Sequence, residues 1–450
     1  MSRSQIHMYL AYSLLLTLGL IVLSPYFLFQ VLLHGKYVEG LTQRLGSLPP
    51  KHSSKKVIWL HCVSVGETQA ARPLVERLRR EFPDYSLVVS TITNTGQNLA
   101  RQVFENIADE VIYFPFDWRW SVRRAIKKVN PAVVLILETE LWPNFLRECR
   151  SRKIPVALVN GRISRQSFRR YRLVRFLLRS VLENLNLAIM QSEADAARIA
   201  ELGLSEQKIL TSGNLKFDAN SVAPTAQTEL IKQRFGLDQG KALILAASTH
   251  SPEEKILLET FLTLRQKHSV RLMIAPRKPE RFHEVAQVLG ASGVSWVRKT
   301  GPEQAADQTA EVILLDTIGE LPAVYSLASL VFVGGSIVDN GGHNVLEPAA
   351  AGTCVVTGHH THNFQAIIQL LNEADAIVQL PPLDLRNAAD CLTHEFAALL
   401  TDDERRTELA NRAKEIVINN QGATDRTIAM LTPLIGNPTN RAKLVTAELQ

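Results

Sequence analysis

Behind the apolar run Leu330-Val331-Phe332-Val333-Gly334-Gly335-Ser336 comes Gly341-Gly342-His343-Asn344-Val345-Leu346-Glu347-Pro348, a second glycine pair followed by an amide and a carboxylate. Paired glycines let the backbone leave a buried strand tightly. A helix opened this way offers free N–H groups and partial positive charge to a phosphate. Glu347, in the first helical turn, could accept both hydroxyls of a ribose while Asn344 and the backbone hold phosphate oxygens. A nucleotide-sugar enzyme needs both contacts. The competing reading is turn punctuation with a carboxylate that only serves the helix dipole. The spacing departs from G-x-G-x-x-G and lies late in the chain, which disfavours an N-terminal dinucleotide domain.

Three more constellations sit at the ends of apolar runs in the first half. In His61-Cys62-Val63-Ser64-Val65-Gly66-Glu67-Thr68 a carboxylate opens a helix and could take a proton from an attacking hydroxyl; otherwise it complements the dipole. Leu137-Glu138-Thr139-Glu140 places two carboxylates at a buried strand end, where they must be used or be paired with a cation. Gly213-Asn214-Leu215-Lys216 offers a lysine that could complement Glu138 or a substrate anion, or simply lie on the surface. In the second half, Ser248-Thr249-His250, Pro276-Arg277 and Thr317-Ile318-Gly319-Glu320 end further runs at the same expected sheet edge as the Gly341 loop. An arginine with helix N-termini can clamp a phosphate without a metal, and no D-x-D with flanking turn residues offers to hold one. Cys62, Cys149, Cys354 and Cys391 are scattered without a C-x-x-C, which argues against zinc and suits a reducing compartment.

Short apolar runs alternating with amphipathic helical stretches position these residues, a pattern that predicts α/β layers with parallel strands. Strands are expected at 57–64, 87–93, 111–116, 132–138, 156–160 and 187–191, then at 242–249, 271–276, 294–298, 312–316, 330–334 and 354–357. Between the halves, 218–241 loses the alternation and collects Pro, Gln, Ser and Gly. The expected architecture is two facing Rossmann-like doubly wound domains with ligands at the strands' C-terminal ends. The expected divisions are an anchor at 1–36, a first domain at 37–218, a linker at 219–241, a second domain at 242–430 and a tail at 431–450.

With 450 residues, 46% of them hydrophobic, the chain can fill two cores and still carry an apolar segment. That segment is residues 4–35, which hold no Lys, Arg, Asp or Glu. Residues 8–33 are long enough to reach through about 30 Å of hydrocarbon, so an uncleaved membrane-anchor helix is expected rather than a signal peptide. Pro25 leaves a kinked or re-entrant helix open beside a straight span. Lys36, Arg44, Lys51, Lys55 and Lys56 outweigh Arg3, which predicts a cytoplasmic catalytic part by the positive-inside rule. A net charge of +6 calls for an anionic partner, and beside an anchor a membrane surface or phosphorylated lipid is simpler than nucleic acid. Arg162, Arg169, Arg170, Arg172 and Arg175, interleaved with Phe168, Leu173, Phe176 and Leu177, read as one basic amphipathic helix for that surface, or as a solvated helix face.

In this order SVGET (64–68), ETELWPN (138–144), GNLKFD (213–218), STH (248–250), PRKPERF (276–282), DTIGEL (316–321) and FVGGSIV with GGHNVLEPAA (332–350) make the chain resemble the 3-deoxy-D-manno-octulosonic acid (Kdo) transferases of lipopolysaccharide synthesis. These are membrane-bound glycosyltransferases of the GT-B fold. The resemblance runs from the anchor to about residue 422. It implies inverting, metal-independent transfer of Kdo from CMP-Kdo to a lipid A precursor, lipid IVA, at the cytoplasmic face of the inner membrane, with no cofactor and no nucleic acid. It also implies that Glu67 is the general base and that Glu138 and Lys216 support the transition state. Pro276, Arg277, Ile318, Gly319, Glu320, Asn344, Val345, Leu346 and Glu347 would bind the CMP moiety. Ile318 stands where relatives carry Met, a departure of little weight if the backbone is the ligand there. A UDP-sugar transferase acting on another lipid is the alternative within the same fold.

Overall fold

The computed structural model describes residues 3–34, 40–48, 54–63, 65–218, 225–237 and 240–436, with the backbone alone for 3–7, 26–28, 30–34 and 65. Ser64, Lys36, Lys51, the linker stretches 219–224 and 238–239, and the tail beyond 436 lie outside them. The chain divides into two compact units, Met1–Ala219 with Asn420–Gln450, and Asn220–Asn419.

The first unit runs α1 (Arg3–His34), α2 (Leu41–Arg44), β1 (Lys56–His61), α3 (Val65–Glu81), β2 (Tyr85–Thr91), α4 (Asn94–Val103), β3 (Glu110–Tyr113), α5 (Arg119–Val129), β4 (Pro131–Leu137), α6 (Pro143–Ser151), β5 (Val156–Gly161), α7 (Arg165–Leu173), α8 (Arg175–Leu182), β6 (Leu187–Met190), α9 (Glu193–Glu201) and β7 (Ile209–Thr211). Its strands are near-continuous apolar runs because a parallel sheet is covered on both faces. Alternation along β1 shows the two layers. Val57 and Trp59 join the core beneath α5, α6 and α8, with Trp59 edge-on to Phe145 at 5.2 Å. Ile58 and Leu60 join the other core, beneath α3 and α4. The strand order is β3-β2-β1-β4-β5-β6-β7, with β1 parallel to both β2 and β4. The chain steps outward from β1 through β2 and β3, then returns to β4 on the other side. The switch point between β1 and β4 is where such sheets hold ligands.

The second unit continues with α10 (Ala226–Phe235), β8 (Ala242–Thr249), α11 (Glu253–Leu264), β9 (Val270–Pro276), α12 (Phe282–Gly290), β10 (Trp296–Arg298), β11 (Val312–Leu314), α13 (Leu321–Tyr325), β12 (Leu330–Val333), α14 (Leu346–Ala350), β13 (Cys354–Thr357), α15 (Gln365–Glu373), β14 (Val378–Gln379), α16 (Ala388–Thr401) and α17 (Asp403–Asn420). Its order, β10-β11-β9-β8-β12-β13-β14, puts the switch point between β8 and β12.

Three expectations need correction. The expected linker 219–241 contains α10, whose buried Ile231 and Phe235 lie one turn apart. Arg234 ties α10 to the second unit through Asp307 at 2.9 Å and the Lys299 carbonyl at 2.7 Å. The expected second domain ends too late, because α18 (Ala423–Gly436) belongs to the first unit. There Asp218 accepts the N–H groups of Gly422 and Thr424 at 2.7 and 2.5 Å, and Ile428, Leu431 and Ile435 fill the core beneath α3. The single basic helix is two, α7 and α8, broken at Val174.

The segment Met8–Pro25 of α1 is long and apolar enough to cross a membrane. A stripe of Tyr9, Tyr12, Ser13 and Thr17 nevertheless faces the first unit. Asn184 donates to the Tyr9 hydroxyl at 3.1 Å, Asn144 to Ser13 at 3.1 Å and the Trp118 indole to Thr17 at 3.2 Å. Leu10, Leu14, Leu15, Ile21 and Val22 remain exposed. Helical periodicity therefore splits α1 into a protein-facing polar stripe and an apolar face.

Candidate active site

In the first unit, α3 begins four residues after β1 ends and carries Glu67 in its first turn, where the carboxylate accepts the Val63 N–H at 2.7 Å. Glu138 directly follows β4, on the other side of the switch point. Its φ of 54° is left-handed, a strained conformation for a side chain with a Cβ, held by its N–H donating to Val159 at 3.0 Å. Lys216, in a 3-10 turn at Leu215–Phe217, forms an ion pair with Glu138 at 3.3 Å. Burial pushes the Cys62 thiol well above its usual pKa, with Glu67 and Glu138 adding to the effect, so both carboxylates act on one buried point. The structure thus brings Glu67, Glu138 and Lys216 to one sheet edge. Burial and then Glu138 also raise the pKa of Glu140. Arg162 lies beside this edge, its carbonyl accepting the Thr139 hydroxyl. Arg169, Arg170, Arg172 and Arg175 lie on α7 and α8, exposed.

The second unit gathers its polar groups around the β8–β12 switch point. Glu253, at the start of α11, is buried and accepts four backbone N–H groups: His250 at 2.9 Å, Gly335 at 2.8 Å, and Ser336 and Ile337 at 3.0 Å each. It therefore sets the loop after β12. Gly341 and Gly342 have φ of 82° and 70°, the conformation that favours glycine. Just before α14 the Asn344 side chain turns to local partners: its oxygen accepts the Leu346 N–H at 3.0 Å and its amide donates to Glu347 at 3.0 Å. Asn344 is thus a positioning residue for Glu347. Burial raises the pKa of Glu347 against the opposing pull of Asn344, Tyr325 and Arg277. Arg277 follows β9 with its N–H on the Thr249 carbonyl at 3.0 Å, and its charge also bears on His250 and His343.

Of the Thr317–Glu320 segment, Ile318 is 59% exposed and Gly319 has φ of 90°. The Glu320 carboxylate is engaged by Lys299 at 2.7 Å, Gln227 at 2.7 Å and Thr317. Burial raises its pKa, but these donors outweigh burial and hold it below the usual range. Pro276 ends β9, while Val345 and Leu346 are buried and offer a ligand only their backbone.

Four polar groups at these edges were not singled out from sequence. His343 stacks on His250, the rings 8° apart in plane, with one Nε2–H donating to the other Nε2 at 2.8 Å. Tyr325 is buried and shares a hydrogen bond with Glu347. Buried Asn160, with φ of 54°, accepts the Leu215 N–H at 3.0 Å and so positions the Lys216 turn. Glu253 is the fourth. The only available signal was an acidic residue three positions after the STH motif, common in a first helical turn.

Burial, then Arg277 and His250, lower the His343 pKa to about 3. An unfolded histidine titrates near 6.5. Stability from neutral His343 is therefore present above that value and lost as pH falls toward 3. Thermal melts from about pH 8 to about pH 5 should show a decline in wild type that shrinks in His343→Gln. Part of it should remain, because burial also holds His61 at about 3. An equal decline in both proteins would remove His343 from this role.

No group of three or more His, Cys, Asp or Glu side chains poised for a metal occurs among the described residues. The sequence model described as 3-deoxy-D-manno-octulosonic-acid transferase (kdotransferase) matches residues 39–219. The Neisseria meningitidis UDP-GlcNAc 2-epimerase bound to UDP-GlcNAc is similar in fold, with a TM-score of 0.56 at 15% identity over 85% of this chain and all of that one. This likeness is of GT-B type. The 3-deoxy-D-manno-octulosonic acid transferase of Bordetella pertussis is 32% identical over 84% of this chain and 87% of its own length. That of Haemophilus influenzae is 34% identical over 89% of this chain and 92% of its own. With more than 30% identity sustained across nearly the whole length of these relatives, the chain belongs to the 3-deoxy-D-manno-octulosonic acid transferase family.

Proposed function

We propose that the protein transfers Kdo from CMP-Kdo to a lipid A precursor, lipid IVA, with inversion and without a metal, at the cytoplasmic face of the inner membrane. The observation that carries the reading is the pair of switch points. One bears Glu67, Glu138 and Lys216, and the other bears Arg277 and the Asn344–Glu347 segment. Glu67 takes the proton from the acceptor hydroxyl, whose oxygen forms a bond to the anomeric carbon of Kdo as the bond to the phosphate oxygen breaks. Lys216 and Glu138 stabilise charge at the sugar, and CMP leaves with its phosphate held by Arg277 and backbone N–H groups. Glu347 accepts from the ribose hydroxyls. Leu173 and Phe176, 83% and 74% exposed beside the arginines of α7 and α8, favour docking on an anionic lipid surface.

The test is incubation of full-length protein with CMP-Kdo and tetraacylated lipid A precursor, with products weighed by mass spectrometry. No mass increase by Kdo overturns the reading. A UDP-sugar enzyme would instead be stabilised thermally by UDP and not by CMP. Arg277→Ala and Glu347→Ala should each weaken CMP binding by about 1.5–3 kcal/mol, the cost of a charge-assisted hydrogen bond in a desolvated site. Unchanged calorimetric affinity in both would place the nucleotide elsewhere.

A further inference from the structure

A cavity of about 450 Å³ lies against the first turn of α1's apolar segment, with Tyr9 forming one wall. Arg119 and Arg123 from α5 and Arg147 and Arg150 from α6 line it, opposed by one carboxylate, Glu148. That carboxylate is already engaged by Arg123 at 3.1 Å and by Arg152, outside the cavity, at 2.9 Å. Arg119, Arg147 and Arg150 have no ion pair to a carboxylate among the described residues. Arg147 lies over the Tyr9 ring, its guanidinium 4.7 Å from the ring centre. Three cations converging on one concavity repel each other unless an anion joins them. Burial, then Arg119, lower the pKa of Arg147, which agrees with that repulsion.

The surroundings narrow the anion. Tyr9 joins the cavity to α1, whose opposite face exposes Leu10, Leu14 and Leu15. Ser180 of α8 and Asn184, just beyond its end, close the wall, and Phe176, one helical turn before Ser180, is exposed. Apolar groups suited to acyl chains thus flank a polar pocket at the N-terminal end of the apolar segment. The cavity lies on the sheet face covered by α5, α6 and α8, whereas Glu67 opens α3 on the opposite face. It shares no residue with either cluster of the candidate active site.

We propose that the Arg119–Arg123–Arg147–Arg150 cavity binds the phosphate headgroup of an anionic glycerophospholipid and so fixes the first unit on the membrane beside α1. Such a headgroup site is independent of the transfer reaction. Full-length protein in neutral detergent is titrated with phosphatidylglycerol, phosphatidylcholine or inorganic phosphate. Binding is read as the rise in unfolding temperature and as lipid retained in native mass spectrometry. Phosphatidylglycerol should bind and raise the unfolding temperature, and phosphatidylcholine should do so far less. Arg119→Gln with Arg150→Gln should weaken phosphatidylglycerol binding roughly 30-fold, from two cations near an anionic surface, while stabilisation by CMP is unchanged. Both side chains are exposed, so this variant should fold; Arg119→Gln alone is the milder second variant. Equal lipid binding by wild type and variant overturns the proposal. So does equal stabilisation by inorganic phosphate, which would mark a free-phosphate site. Loss of the effect in Arg169→Gln with Arg170→Gln instead would move the contact to α7 and also overturn it.

Discussion

Glu67→Gln should give a protein that binds CMP as tightly as wild type and transfers about 10²–10⁴-fold more slowly, the usual worth of a positioned general base. Glutamine is nearly isosteric and its carbonyl oxygen can still accept the Val63 N–H that now meets the carboxylate at 2.7 Å, so α3 should begin unchanged. What the substitution removes is the ability to take a proton. CMP affinity is the internal control, because the residues proposed to hold CMP belong to the second unit, built on its own sheet. A pre-steady-state measurement at saturating donor separates a slower chemical step from slower product release. Wild-type single-turnover rates would return Glu67 to a dipole partner at a helix start.

The largest loss of stability is expected from Glu253→Ala. One carboxylate satisfies four backbone N–H groups, three of them buried in the loop after β12. Alanine leaves them without partners, at about 1–3 kcal/mol for each buried orphan, against a typical domain stability of about 5–15 kcal/mol. The second unit should unfold at markedly lower urea, and CMP binding should fall with it because the Gly341 loop follows directly. Gln should recover part of the loss, keeping one accepting oxygen but turning an N–H₂ toward donors. The measurement is the urea midpoint of the second unit's transition, followed by a probe in that unit because two units need not unfold together. An unchanged midpoint in the alanine variant would mean that the loop holds itself.

The layer pattern and both switch-point clusters were legible because a parallel sheet buried on two faces writes its strands as apolar runs, with polar residues gathered at one end. Ala242–Thr249 and Cys354–Thr357 are strands over the residues expected. β7 and β14 escaped because edge strands of three and two residues carry too little alternation to register. α10 was hidden by the polar residues around it, since its buried face sets just two apolar residues, Ile231 and Phe235, beside Thr228. The break at Val174 was invisible because both helices carry arginines at helical spacing. The His250–His343 contact joins residues 93 positions apart, and no local pattern encodes that. The polar stripe of α1 was present as Tyr9, Tyr12, Ser13 and Thr17, but average hydropathy conceals a period of three to four residues.

The return of α18 to the first unit bears on how a ribosome delivers this chain. Tyr85 in β2 donates its hydroxyl to Ile435, 350 residues later, at 2.8 Å. Until α18 emerges, the layer formed by α3 and β2 lacks Ile428, Leu431 and Ile435 and shows an apolar face to the cell while the whole second unit is being synthesised. Nascent domains that wait in this way are where aggregation and chaperone capture concentrate. A premature stop near residue 420 would complete the second unit and leave the first one permanently open.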